Sequence, residues 1–172
     1  PFGYRGWKMN LVEDLDINDE FILVSPKLKM KKILASLIVA PSVACLVEDP
    51  KSGEIIGVID DEYIQRITAE GKKVNKGKAQ AWMETNILSI IDKTPLERLP
   101  QLLPKKQPDA VIVTDVTGKF KGYLSPEDFY DALDSINIEV PIDQTPVTYD
   151  NVTEITADKI EAKKSAFINV QD

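Results

Sequence analysis

Gly53 and Gly57 recur as Gly118 and Gly122 at one shared offset of 65 residues, and the pattern around them recurs too. A chain that repeats its hydrophobic patterning at that spacing is constrained to fold as two equivalent supersecondary units. In the first copy Phe21–Val24 is β-prone and stops at Ser25 and Pro26, after which Leu28, Ile33, Leu34 and Leu37 recur at helical spacing. Pro41 and Ser42 end that helix. Residues 43–47 then read as a buried strand, residues 49–53 as a turn, Ile55–Ile59 as the return strand, and a helix starting near Asp60 carries Tyr63, Ile64 and Ile67.

The second copy runs in the same order. Residues 88–91 form its strand, Thr94 and Pro95 open a helix carrying Leu96, Leu99, Leu102 and Leu103, and residues 110–113 and 120–124 are strands around a turn at 115–118. Ser125 then starts a helix carrying Phe129, Tyr130 and Leu133. Each copy is too small to bury its sheet and helices alone, so the two are expected to pack face to face as one α/β (α+β) body. The expected layout is an arm at 1–8, a first repeat at 9–68, a linker at 69–80, a second repeat at 81–135 and a second arm at 136–172. In that last stretch Pro141 and Pro146 exclude helix between them, and a short helix is expected near 157–164. Trp7, in the first arm, reads as a cover for an apolar edge.

The linker carries Lys72, Lys73, Lys76 and Lys78, and the first helix begins among Lys27, Lys29, Lys31 and Lys32. Both runs read as solvated faces, with a phosphate-facing basic loop as the sharper alternative for the linker. Composition excludes several classes of function. A formal net charge of −7 opposes general nucleic-acid binding, which needs a basic face to displace counterions. The complete absence of histidine removes histidine acid–base catalysis and histidine metal ligation. The lone Cys45 sits in an apolar strand, reads as a small buried thiol and fits a reducing, cytoplasmic setting. The longest apolar stretch, 33–47, is interrupted by Ser36, Pro41 and Ser42, so direct membrane insertion is not expected. No nucleophile–base pair, Gly-Lys phosphate loop or metal-ligand spacing is present, so neither a catalytic residue nor a metal ligand is assigned and the chain does not read as an enzyme.

The chemistry-bearing segment is the run from Gly122 to Asp128. Ser125 is a strong helix N-cap, Pro126 suits the first helical position, and Glu127 and Asp128 complement the helix dipole. The N-terminus of that helix presents free N–H groups to an anion, Ser125 can donate to a phosphate, and Asp128 can accept from the hydroxyls of a ribose. Gly122 either lets the backbone approach a ligand or relieves a crowded strand end. In the first copy the cap is Asp60, followed by Asp61 and Glu62, and Tyr63 takes the place of Asp128. A phosphate there would meet like charge. That cleft is left either empty or collapsed, or holding a cation on its carboxylates.

The residues Trp82 to Asn86 before a strand, Thr94, Pro95 and Leu96 opening a helix, and Gly122 to Asp128 closing the repeat resemble the motifs of a tandem pair of CBS domains, a Bateman module. The resemblance covers 9–135, specifically in the second copy and by layout in the first. It implies two repeats related by approximate twofold symmetry, clefts for adenosine-containing ligands, a homodimer, and a place beside a regulated enzyme or transporter. Carried onto this sequence, it gives Gly122, Ser125, Pro126 and Asp128 for phosphate and ribose, and Thr85, Ile87, Ala110 and Val111 around the base. The function so implied is a regulatory module that needs no cofactor and senses AMP, ADP, ATP or S-adenosylmethionine, with few phosphates favoured. A ligand-free dimerisation or partner-binding module and a divalent-cation sensor of a transporter are the competing readings.

Overall fold

Three short strands, two parallel and one antiparallel, recur twice in the computed structural model, which describes residues 10–102, 107–136 and 149. In the first sheet β1 (Phe21–Val24) lies parallel to β2 (Ala44–Glu48), with α1 (Met30–Val39) as the crossover, and β3 (Ile55–Ile59) returns antiparallel before α2 (Asp61–Ala69). A one-turn helix, α3 (Ala79–Trp82), leads to the second sheet. There β4 (Ile87–Ile91) lies parallel to β5 (Ala110–Thr114), β6 (Phe120–Tyr123) returns antiparallel, and α5 (Pro126–Ser135) closes the unit. The arms, with Trp7, Leu103 and the 157–164 helix, lie outside the described residues, except for Ile136 and Tyr149.

The expected helix after Thr94 is shorter than its counterpart α1. Leu96–Arg98 forms a 3-10 turn and α4 covers only Leu99–Leu102. Pro100 is the physical reason: it has no N–H to donate back along a continuous helix, so it is tolerated only in the first turn of a new one. Leu96 and Leu99 are buried, but Leu102 is 40% exposed, against the expectation that it faces the core.

Each core is completed by the other repeat's leading segment. Val12, Leu15 and Ile17 precede β1 yet pack with Ile90, Leu96, Leu99, Val111, Leu124 and Phe129 of the second repeat. Backbone bonds fix the crossing, from Val12 to Thr94 (2.9 Å), Leu96 to Asn10 (2.9 Å) and Tyr123 to Ile17 (2.8 Å). Reciprocally, Val74, Ala79, Trp82 and Met83 precede β4 but pack with Ile33, Leu37, Val47 and Ile67 of the first repeat. The 69–80 stretch is therefore solvated at its lysines but supplies buried Val74 and Ala79 to a core. A third cluster joins the sheets: Leu46, Ile55 and Val58 meet Ala110, Ile112 and Tyr123, and Phe21 stands edge-on to Phe120 at 5.5 Å.

Candidate functional site

Two helix N-termini open into one cleft along the seam between the repeats. The Asp60 carboxylate accepts from the Tyr63 amide at 2.9 Å and caps α2. At α5 the cap is reciprocal: the Ser125 hydroxyl oxygen accepts from the Asp128 amide at 3.2 Å while the Asp128 carboxylate accepts from the Ser125 amide at 2.9 Å. The cleft, of about 320 Å³, is lined by matching positions of the duplication, residues 42–44 and 60–62 from one repeat and 107–109 and 125–127 from the other. It is thus a shared cavity across the approximate twofold, with Tyr123 and Tyr149 on its wall.

Its charge is lopsided. Glu20, Asp60, Asp61, Glu62, Glu84, Asp109 and Glu127 line it, against Arg66 as the lining cation among the described residues. Arg66 is already engaged, at 2.8 Å from Glu84 and 3.4 Å from Glu62, with its guanidinium 5.4 Å from the Tyr63 ring centre. Burial, reinforced by Asp109, pushes the Glu84 carboxyl up to about 7. Burial likewise raises Asp60, and it raises Glu20 against the opposing hydrogen bond from the Ser125 hydroxyl, with Glu127 adding repulsion. Glu20 also holds a left-handed backbone, φ 63°, which is uncommon outside glycine. Burial pushes Cys45 up to about 11, leaving a protonated thiol away from this chemistry.

Of the residues singled out from the sequence, Ser125 and Pro126 line the cleft. Asp128 is 4% exposed and turned back into the cap, and burial pushes its carboxyl up to about 7 despite the bonds from Ser125. Gly122 is crowded by protein: a Cβ there would stand 2.4 Å from the Ile17 carbonyl oxygen. Relief of a crowded strand, the plainer of its two alternatives, is what the structure shows. Gly57 plays the same part against Met83. Ala110 and Ile87 belong to the seam between the sheets, Val111 is fully buried among Phe129 and Tyr149, and Thr85 is exposed on the approach to β4. Tyr63, in the place of Asp128, donates its hydroxyl to the Trp82 carbonyl. Sequence reasoning did not find Glu20, Glu84, Asp109 or Arg66 as lining groups, because isolated charges carry no periodic signal. Tyr149 sits in a stretch without pattern.

Because Asp128 and Glu84 titrate higher in the fold than in an unfolded chain, the folded state holds protons that the unfolded state has lost between about pH 4 and pH 7. Stability is therefore expected to fall as pH rises through that window. The melting temperature should be higher at pH 5.5 than at pH 8, and Asp128→Asn, which keeps an acceptor for the Ser125 amide, should recover about 1–2 kcal/mol at pH 8. Urea unfolding of both chains at the two pH values measures this.

No family model matches the chain, and no curated protein matches it. Solved structures do. The hemolysin-like protein containing a CBS domain from Oenococcus oeni is 17% identical with a TM-score of 0.58, the match covering 75% of this chain and 93% of that one. CBSX2, from Arabidopsis thaliana and solved in complex with AMP, is 22% identical with a TM-score of 0.58, over 74% of this chain and 98% of that one. The cytosolic domain of the Mg2+ channel MgtE, in complex with ATP, is 19% identical with a TM-score of 0.55, over 72% of this chain and 49% of that one. These likenesses are likenesses of fold.

Proposed function

We propose that this chain, whose fold is a tandem pair of CBS repeats, is a non-catalytic regulatory module that binds an adenosyl ligand in the cleft between the repeats. The observation that carries the reading is the Ser125-capped N-terminus of α5 opening into that cleft. AMP and ATP in similarly folded proteins support the ligand class. In this reading the repeats are 9–68 and 81–135, the module pairs with a second copy, and its packing reports to an enzyme or transporter in the cytoplasm.

The acids around Ser125 set the ligand's charge. A phosphate at α5 would meet Glu20 and Glu127, whereas a sulfonium or ammonium group would be attracted by them. S-adenosylmethionine is thus favoured over AMP, and AMP over ATP. The divalent-cation reading has less support, since among the described residues no three acids gather closely enough to hold a metal ion.

Thermal shifts with S-adenosylmethionine, AMP, ATP and Mg2+ separate these readings. A ligand at about a hundred times its Kd adds roughly 2.7 kcal/mol of stability. S-adenosylmethionine should give the largest shift. AMP should bind more tightly as pH falls, because protonated Glu20 no longer repels the phosphate. Glu20→Gln should raise AMP affinity about tenfold at pH 8 and weaken that pH dependence. If none of the adenosyl compounds moves the melting temperature, the reading is wrong; a shift with Mg2+ alone would favour the cation sensor.

A further inference from the structure

The two lysine runs, 45 or so residues apart in sequence, meet in space. Lys29 and Lys78 are partners in an isolated antiparallel bridge, the Met30 amide donates to the Gly77 carbonyl at 3.0 Å, and the Ala79 amide donates to the Leu28 carbonyl at 2.8 Å. This clamp is also what caps α1, since Lys29 at its N-cap offers no side-chain acceptor. Lys27, Lys29, Lys31, Lys32, Lys76 and Lys78 are thereby gathered around one helix end. All six are exposed, and among the described residues none of them forms an ion pair with a carboxylate.

The outward face of α1 continues the patch with a change of character. Met30, Ile33 and Leu37 point inward, and the exposed rows run Lys31, Ala35, Ile38 and Lys32, Ser36, Val39. Ile38 and Val39 are 82% and 85% exposed, and no acid occurs anywhere in α1. An apolar groove beside β1, lined by Ile22, Val39 and Val43, extends that end. An exposed helix face that sets lysines beside two exposed aliphatics and carries no acid combines the two attractions, electrostatic and apolar, that hold a protein to an anionic membrane interface.

We propose that this face docks the module on an anionic phospholipid surface, with the lysines at the headgroups and Ile38 and Val39 in the boundary beneath them. Charge complementarity selects this occupant. With the six lysines at one pole, the remaining 15 cations of the chain face 28 acids, so the acidic body is repelled from a flat anionic surface and the lysine pole turns toward it. A nucleic acid would leave the two exposed aliphatics unused, and Trp82, beside the patch, packs against the first core and donates to the Lys76 carbonyl. A second copy stacked lysine run on lysine run would be repelled.

Co-sedimentation of the full chain with vesicles tests this. Binding is expected to phosphatidylcholine vesicles containing about a quarter phosphatidylserine, to be absent with phosphatidylcholine alone, and to be lost as salt rises from about 0.1 to 1 M, where the screening length drops to about 3 Å. Replacing Lys31, Lys32, Lys76 and Lys78 together by Gln should weaken it at least tenfold, and Ile38→Ser with Val39→Ser several-fold, with the melting temperature preserved in both. Equal binding to neutral vesicles, no binding to anionic ones, tighter binding to a polyuridine strand than to the vesicles, or undiminished binding by the lysine variant would overturn the proposal.

Discussion

Gly122→Ala is expected to lower the stability of the chain by about 3 kcal/mol, which for a domain of this size is a fall of roughly 6–12 °C in melting temperature. The added Cβ would lie 2.4 Å from the Ile17 carbonyl oxygen and 2.8 Å from Ile17 Cβ and Cγ1. That carbonyl cannot withdraw cheaply, because it also accepts the Tyr123 amide at 2.8 Å while Ile17 itself is buried in the second core. The matching Gly57→Ala meets Met83 instead, whose Sδ would be 2.4 Å away and Cβ 2.8 Å. The Met83 thioether can swing aside but its Cβ moves only with the backbone, so a loss of about 2 kcal/mol, smaller than at Gly122, is expected. Thermal melts of the two variants side by side test the ordering, and a Gly122→Ala chain that melts within a degree of the parent would show that Ile17 is not held in this crossing.

Tyr149→Ala is expected to cost about 3–4 kcal/mol. The Tyr149 ring stands edge-on to Phe129 with centroids 6.1 Å apart, and its hydroxyl donates to the Leu124 carbonyl. Truncation would leave a cavity in the second core and a carbonyl without its donor. Tyr149→Phe separates the two contributions: it keeps the ring and loses only the hydroxyl, and should cost about 1–2 kcal/mol. Urea midpoints with an unchanged m-value would confirm that the loss lies in the folded state. Equal midpoints for the two variants would mean that the ring contributes nothing, against the packing described. Because Tyr149 also lines the cleft, the alanine variant enlarges the cavity that the proposed ligand would enter.

The strand and helix order was legible because its signals are local. Ile55–Ile59 is bounded by a turn glycine and an acidic cap, and α5 by a serine, a proline and a carboxylate three residues after the cap, all readable in place. The site was half legible for the opposite reason. Ser125 announces a helix start, but whether Asp128 faces a ligand or folds back on that cap depends on burial, which comes from segments remote in sequence. Glu20, Glu84 and Asp109 converge only once the two repeats are docked. Gly122 shows how a glycine that stands out in a sequence can owe its place to packing, since Ile17, more than a hundred residues earlier, occupies the space beside it.

The reciprocal crossing of the leading segments has a consequence for how such a molecule can be divided. Neither half contains its own complete interior: a fragment ending before Val74 would lack the residues that seal its helices, and one beginning after it would lack Val12, Leu15 and Ile17. Two such fragments should be poorly structured apart and recover order on mixing, in the manner of a split reporter. A single repeat on its own would face the same deficit, so the chain is in effect a tethered pair in which each half supplies the segment that closes the other.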